Sequence, residues 1–466
     1  MSYIFLAFGF YFFVLIGIAL FFYKRVTCAQ SYASGNKSLN YWVTAIAAQS
    51  SDMSSWLFMA LPGIFYTTGL VQCWEVFGII IFNYLNWKFV APKLRTQTEK
   101  TNSITLSDFF EKKLGDNRGA IHLITALVAM VFFTCYISAG LFAMGRLFES
   151  LFGISYHIGM LIGITLTVSY ILIGGFIAMA WSDFFQGVFL LFMLGIVPII
   201  AFFNTGGCGA IESAAILRNV PLTLLPESTS LFDIFILVCG FGLGYFGQSH
   251  ILINFMGIKN PKEMKFARRV GVTWQILALT ASSATGIIAI AYFAKGISNP
   301  ELIFSTMANQ LFNPFIAGLV LCGVFAATIT TIDTQILVVA TTFTHDLYEQ
   351  LFTTKKTSKR HLLWVSRIAT IVFPMISFWV AYSNKATIYG VVKYAWSGLG
   401  SSFGPLVLTS LYCKKINLYG GVAGIIVGGV VSGLWPLLHS NMPSVIPGFM
   451  LSLSSILLVS GITKKP

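Results

Sequence analysis

The chain has 466 residues, of which 56% are hydrophobic and 10% are charged, and its mean hydropathy is +0.80. Soluble domains carry about 25% charged residues, so this composition excludes a protein whose whole surface faces water. The net charge of +13 does not indicate a nucleic-acid partner, because the basic residues are distributed as a membrane topology requires.

Apolar runs close to 20 residues, the length that crosses the hydrocarbon core of a bilayer, recur along the whole chain. They predict an all-α integral membrane protein with one transmembrane domain, residues 1–466, and about 13 transmembrane helices. The predicted spans are 3–23, 39–68, 70–92, 119–149, 156–178, 180–204, 230–255, 268–294, 305–344, 362–382, 387–412, 416–438 and 443–462. The cysteines and histidines lack the spacing of a disulfide framework or a metal site.

Basic residues are concentrated in alternate connections. Of the 29 Lys and Arg residues, 24 lie in the loops after odd-numbered spans, at the inner end of span 3 or in the C-terminal tail. The positive-inside rule therefore predicts an N-terminus outside the cell and a C-terminus in the cytoplasm. This orientation requires an odd number of spans, in agreement with thirteen.

Span 2 contains a polar interruption, SSDMSSWLFMALPG, over residues 50–63. An ionisable side chain at membrane depth is costly and functional by default, so Asp52 is the first candidate site residue. In the alternative reading Asp52 only caps a helix that restarts near Met53, and the two roles are compatible. A helix broken at the midplane offers free carbonyls to a small cation and free N–H groups to a carboxylate.

Span 7 contains the second predicted break, CGFGLGYFGQSHI, over residues 239–251. Four glycines in an apolar segment predict an unwound helix, because a membrane span lacks the strand–turn–helix unit that its formal GxGxxG match would need. Breaks five spans apart predict inverted repeats over residues 39–204 and 230–412. Residues 3–38 are then an extra N-terminal helix and loop, and residues 416–462 are two extra C-terminal helices.

Span 9 carries a polar cluster in FAATITTIDTQIL, residues 325–337. Threonine hydroxyls can bond harmlessly to their own helix backbone. The presence of Asp333 among Thr330, Thr331 and Thr334 nevertheless favours a site, and hard oxygen ligands suit an alkali cation. Asp183, in WSDFFQ at the start of span 6, is a candidate partner.

These motifs, together with THDLY and YAWSGLGSSFGP, resemble the sodium/solute symporter family from about residue 3 to residue 462. The resemblance implies a LeuT-like five-plus-five inverted repeat and alternating access coupled to Na+. It implies symport of a small amino acid, with L-proline expected first, across the bacterial inner membrane and its lipid bilayer. The alternatives are a sodium symporter for another small solute and an ion channel. An enzyme is not expected, because no paired acid–base groups stand out.

The resemblance also assigns candidate sites residue by residue. The principal sodium site would use the carbonyls of Ser50, Met53 and Ala327, the hydroxyls of Thr330 and Thr331, and the charge of Asp52. A second sodium site, present in some members, would use Asp183, Thr330, Asp333 and Thr334. The substrate site would be lined by Ser54, Ser55, Trp56, Phe241, Tyr245 and Gln248.

Five positions depart from the proline-transporting members of the family. Phe241 replaces Trp, Ser249 replaces Pro and Lys37 replaces Arg, whereas Glu75 and Lys393 place charges at neutral positions. These departures leave the sodium residues intact and put the substrate in question. Two unpaired charges at membrane depth would each be costly, so a Glu75–Lys393 salt bridge closing the outer gate is predicted. The alternative places Glu75 in the substrate site, against an ammonium group.

Overall fold

The computed structural model describes residues 2–22, 32, 37–227, 229–352, 358–382 and 387–463. Within these ranges the fold is a bundle of α-helices, and β pairing is limited to one parallel bridge between Leu39 and Ile258. Some basic residues used for the topology prediction lie outside the described residues: Lys24, Arg25, Lys355, Lys356, Lys464 and Lys465.

The first half of the chain forms a long helix followed by the helices of the predicted first repeat. Helix α1 spans Ser2–Phe22. The next seven are α2 Tyr41–Ser50, α3 Ala60–Thr68, α4 Cys73–Leu85, α5 Ala91–Lys100, α6 Leu106–Leu114, α7 Ala120–Phe152 and α8 Tyr156–Asn204. A short helix, α9 Gly207–Leu217, leads to the second half.

The second half begins with the helices of the predicted second repeat. These are α10 Leu231–Gly242, α11 Ser249–Gly257, α12 Met264–Tyr292, α13 Ile303–Leu311, α14 Pro314–Thr341, α15 Glu349–Phe352, α16 Lys359–Tyr382 and α17 Ile388–Tyr412. A π-helical turn, Thr342–Tyr348, joins α14 to α15. The last two helices are α18 Leu418–Leu434 and α19 Val445–Ile462.

Both predicted helix breaks are confirmed. Helix α2 ends at Ser50, a single 3₁₀ turn follows at Ser55–Leu57, and α3 begins at Ala60. In the second half, α10 runs through a 3₁₀ turn to Gly247 and meets α11 at an angle of 50°. Each break therefore releases backbone groups from the helical hydrogen-bond ladder inside an apolar segment.

Helix α8 contains predicted spans 5 and 6, and the bend between them lies at Gly175. This residue has φ 54° and ψ −152°, which a side chain would strain. An added Cβ would also lie 2.7 Å from Cδ2 of Tyr32. Glycine is therefore required on two grounds, and the division falls a few residues earlier than predicted.

Helix α14 is the centre of the bundle. In its most apolar window 83% of the residues are buried, against 56% or fewer in the other long spans. It packs against α1, α7 and α8. Among the described residues eight helices are long and apolar enough to cross a membrane, and the bent α10–α11 pair adds a ninth. The count of thirteen spans stays a prediction.

Candidate ion and substrate site

Asp52 lies in the first helix break and faces the second. Its side chain is 1% exposed, and Oδ2 accepts a hydrogen bond of 2.6 Å from the hydroxyl of Tyr245, which belongs to the break after α10. The amide of Gln275 on α12 donates to that same hydroxyl at 3.0 Å. Asp52 Oδ1 has no hydrogen-bond partner within the described part of the chain. The Asp52 carboxyl group thus joins the two broken helices and retains one oxygen free to accept a hydrogen bond or bind a cation.

The Thr330 hydroxyl of α14 lies against the broken end of α2. The Thr330 Oγ1 donor is 2.9 Å from the carbonyl oxygen of Ser50 and 3.1 Å from that of Ala327. The Thr331 hydroxyl is 3.2 Å from the same Ala327 carbonyl. Met53 lies in the same break and is buried. Four of the predicted oxygen ligands are therefore brought together directly.

A second polar cluster lies one turn along α14. Asp183 and Asp333 are both fully buried, and the Thr334 hydroxyl is 3.3 Å from a carboxylate oxygen of each. Tyr170 on α8 donates a hydrogen bond to Asp333. The Ser50 hydroxyl donates to the Asp183 carbonyl at 3.2 Å, which links this cluster to the first. Two carboxylates buried against the same hydroxyl favour a bound cation or a shared proton.

Four aromatic rings form a cluster beside Asp52. Trp56 stacks on Phe241 with ring centroids 5.8 Å apart, and Phe241 lies 5.5 Å from Trp396. The ring of Tyr245 meets Trp396 edge-on at 4.9 Å. Trp396 was not predicted as a site residue, although it lies in the YAWSGLG motif that carries part of the family resemblance. That motif was the available signal.

Several polar groups around these rings have free hydrogen-bonding capacity. Ser54 and Ser55 are buried, and neither hydroxyl has a partner among the residues described. Gln248 donates to the Trp396 carbonyl at 2.9 Å, while its own Oε1 accepts nothing from the described side chains or backbone. The predicted substrate residues therefore form one buried cluster with unused hydrogen-bonding atoms.

His250 and Tyr136 adjoin this cluster and were not predicted. His250 is fully buried, and its ring centroid lies 5.7 Å from that of Tyr136. Within the described ranges, both imidazole nitrogens of His250 and the Tyr136 hydroxyl lack a hydrogen-bond partner. One histidine or tyrosine in an apolar span gives no sequence signal, because Tyr136 on α7 and His250 on α11 meet only in the folded bundle.

Glu75 is bound differently from the prediction. Its carboxylate accepts a hydrogen bond from Tyr389, whose hydroxyl lies 2.9 and 3.1 Å from the two oxygens, and another from Gln72. The Lys393 ammonium lies 5.2 Å from the Tyr389 ring centroid. A direct Glu75–Lys393 salt bridge is not among the ion pairs of the described residues. Tyr389 stands between the two charges and also lies 5.9 Å from Phe241.

A helical membrane bundle in which two broken helices meet at a buried carboxylate is the architecture of a secondary solute transporter. The chain belongs to the sodium:solute symporter family, whose model matches residues 32–428. It is accordingly a transporter and not an enzyme. The multi-pass helical fold agrees with this membership.

Curated relatives match the chain over nearly its full length. The high-affinity proline transporter PutP of Bacillus subtilis (strain 168) is 40% identical over 457 residues, which is 96% of each chain. The osmoregulated proline transporter OpuE of the same strain is 37% identical and covers 99% of this chain and 95% of its own. A sodium/proline symporter of Staphylococcus aureus (strain USA300) is also 37% identical, over 98% and 92% of the two chains.

Solved structures share the fold. A Na+-coupled sialic acid symporter in a substrate-bound, outward-open state superposes with a TM-score of 0.86, at 19% identity, over 99% of this chain and 98% of that one. A nucleobase-cation-symport-1 transporter superposes with a TM-score of 0.58, at 15% identity, over 93% and 96%. The predicted all-α, LeuT-like fold is therefore confirmed.

Proposed function

We propose that this protein uses the sodium gradient to carry a small amino acid, L-proline in the first place, into the cell by alternating access. The observation that carries the proposal is the contact of the Thr330 hydroxyl of α14 with the broken end of α2, near the buried Asp52. The relatives that are named proline transporters support the choice of substrate.

The principal sodium site is assigned to the oxygen atoms around Thr330. The carbonyls of Ser50, Met53 and Ala327 and the hydroxyls of Thr330 and Thr331 supply five neutral oxygens, the ligand type that a hard cation prefers. Asp52 supplies the compensating negative charge from the same break. The present hydrogen bonds of Thr330 and Thr331 to these carbonyls support the assignment, because they hold the oxygens in one small volume.

The second sodium site is assigned to Asp183, Thr330, Asp333 and Thr334. Its support is the shared hydrogen-bond distance from Thr334 to both carboxylates. A cation would relieve the repulsion between these buried charges. Because the Ser50 hydroxyl joins the two sites, occupation of one is expected to favour occupation of the other.

The substrate is assigned to the cluster of four aromatic rings beside Asp52. Trp56, Phe241, Tyr245 and the adjacent Trp396 offer flat apolar faces for the ring of proline. The unused groups of Ser54, Ser55, Gln248 and His250 offer hydrogen bonds to its carboxylate and imino group. The free N–H groups at the start of α11 add a favourable site for the carboxylate.

The domain boundaries and topology are proposals of the same kind. Residues 39–204 and 230–412 are assigned as the inverted repeats, residues 3–38 as the extra N-terminal segment and 416–462 as the extra C-terminal pair. The chain is placed in a bacterial inner membrane, with its N-terminus outside and its C-terminus in the cytoplasm. Exposed apolar side chains such as Phe203, 77% exposed, support contact with lipid.

Uptake by the purified protein in proteoliposomes tests the function. An inward sodium gradient should drive accumulation of labelled L-proline, and an equal potassium gradient should not. Competition by a panel of unlabelled amino acids identifies the preferred solute. Sodium-driven uptake of another solute in place of proline would retain the class and overturn the substrate. Proline uptake that ignores sodium would overturn the coupling.

A further inference from the structure

Helix α6 and the first turn of α7 bring three metal-ligating side chains together, away from the transport site. Asp108 and Glu111 are three residues apart on α6 and therefore share a face of that helix. His122 lies at the start of α7. One ligand atom from each of the three side chains can be chosen so that all lie within 4.8 Å of one another.

His122 is held between carboxylates on both sides of its ring. Its Nδ1 lies 3.5 Å from Glu111 Oε2 and also contacts the side-chain amide nitrogen of Gln350, and its Nε2 lies 3.6 Å from Asp346 Oδ1. The Asp346 carboxylate belongs to the π-helical turn after α14 and accepts a bond of 2.8 Å from Thr105. His122 and Asp346 are only 5% and 2% exposed. Neither His122 Nε2 nor Asp346 Oδ2 has a hydrogen-bond partner in the described ranges.

We propose that Asp108, Glu111 and His122 form a binding site for a divalent transition-metal ion of the zinc type. Zinc bonds of about 2.0–2.2 Å at tetrahedral angles place neighbouring ligand atoms roughly 3.4 Å apart, close to the Glu111–His122 separation. The imidazole favours such an ion over Mg²⁺ and Ca²⁺, which prefer oxygen alone. Metal-bound histidines commonly turn their other nitrogen to a carboxylate, and Asp346 occupies that position.

Two side chains compete with an ion for this site: the Gln350 amide, which contacts His122 Nδ1 and would have to move away, and Lys112. Its ammonium lies 2.6 Å from Asp108 Oδ1, and its side chain is 39% exposed, so it can move into solvent. The other oxygen of Asp108 accepts a bond of 2.9 Å from the Ile104 backbone N–H, which keeps the carboxylate at the start of α6. A bound ion would replace Lys112 and join α6 to α7. Through Asp346 it would also brace the turn that follows α14.

Titration of the purified full chain with Zn²⁺ against a chromophoric chelator tests the site. One saturable ion per chain is expected. His122→Ala and, separately, Glu111→Gln should each weaken binding by about tenfold or more. Lys112→Met should strengthen it severalfold, because it removes the competing charge. His157→Ala is the matched control and should bind Zn²⁺ as the wild type does, since His157 stacks on Tyr382 at 4.1 Å and belongs to no such cluster of described residues.

Glu111→Gln keeps the proposal testable if His122→Ala fails to fold, because Glu111 is a partly exposed side chain. Asp346→Asn retains all three ligands and should weaken binding less than His122→Ala. The site would be refuted by wild-type Zn²⁺ affinity in both His122→Ala and Glu111→Gln. Absence of saturable binding in the micromolar range would refute it as well.

Discussion

At the scale of single residues, the hydroxyls of α14 differ in whether their removal breaks a contact between helices. Thr330 contacts carbonyls of two helices, whereas the only hydrogen bond of the Thr331 hydroxyl among the described residues is to Ala327 on its own helix. Loss of the Thr331 hydroxyl should therefore disturb the fold little and act mainly on a cation bound beside it. Thr331 is the better residue for testing ion coordination.

Thr331→Ala should raise the sodium concentration for half-maximal uptake about tenfold, equivalent to about 1.4 kcal/mol of binding free energy. Thr331→Ser retains the oxygen and should change it little. The measurement is proline uptake against sodium concentration for the wild type and both variants. Equal behaviour of the alanine and serine variants would show that the hydroxyl is not a ligand.

Substitution of Asp333 tests whether one or two sodium ions bind during transport. The wild type should show a sodium Hill coefficient above one if the site with Asp183 is filled during transport. Asp333→Ser keeps an oxygen but removes one of two buried charges, so it should change the apparent sodium affinity and lower that coefficient towards one. A wild-type coefficient near one that the substitution leaves unaltered would favour an ion-free carboxyl pair.

At the scale of helices, the bend in α8 depends on Gly175. Gly175→Ala should lower the thermal unfolding midpoint, because a side chain would strain a positive φ, at a cost of roughly 1–3 kcal/mol, and would collide with Tyr32. Gly195→Ala is the control in the same helix, where an added Cβ meets nothing within 4 Å. It should be neutral or slightly stabilising. Equal losses in the two variants would contradict the account of the bend.

The contact between α4 and α17 yields a different prediction from a simple salt bridge. Because the Tyr389 hydroxyl binds Glu75, Tyr389→Phe should impair uptake about as much as Glu75→Leu, whereas Lys393→Met should be milder. Initial rates of proline uptake measure this order. If Lys393→Met is as harmful as Glu75→Leu, and the exchange of both charges restores uptake, the direct bridge is the functional contact.

Local patterns in the sequence predicted the helix breaks, because a charge at Asp52 and the glycines near residue 244 are costly inside an apolar helix. They also predicted that Thr330 and Asp333 share one helix, because neighbours on a helix follow from its period. Tyr389 could not be placed between Glu75 and Lys393, because that contact joins residues 314 positions apart. For the same reason Trp396, His250 and Tyr136 became candidates only once the helices were packed together.

At the scale of the whole molecule, the two broken helices and α14 form one connected unit. Asp52 is bonded to Tyr245, the Thr330 hydroxyl to the Ser50 carbonyl, and Trp396 to the Phe241 carbonyl at 2.8 Å. The proposed ion and substrate sites therefore share their supporting residues. A ligand that binds one conformation of this unit better than another shifts the population towards that conformation. It thereby changes the affinity of the other site.

Coupling of the two fluxes is the central claim, and reversing the driving force tests it most directly. In proteoliposomes without a sodium gradient, an imposed inward gradient of L-proline should drive the entry of radiolabelled sodium. Asp52→Asn, with the protein still inserted and folded, should abolish this entry, because the charge that balances the cation is lost. Proline entry without sodium entry in the wild type would contradict the account, as would unchanged sodium entry in Asp52→Asn.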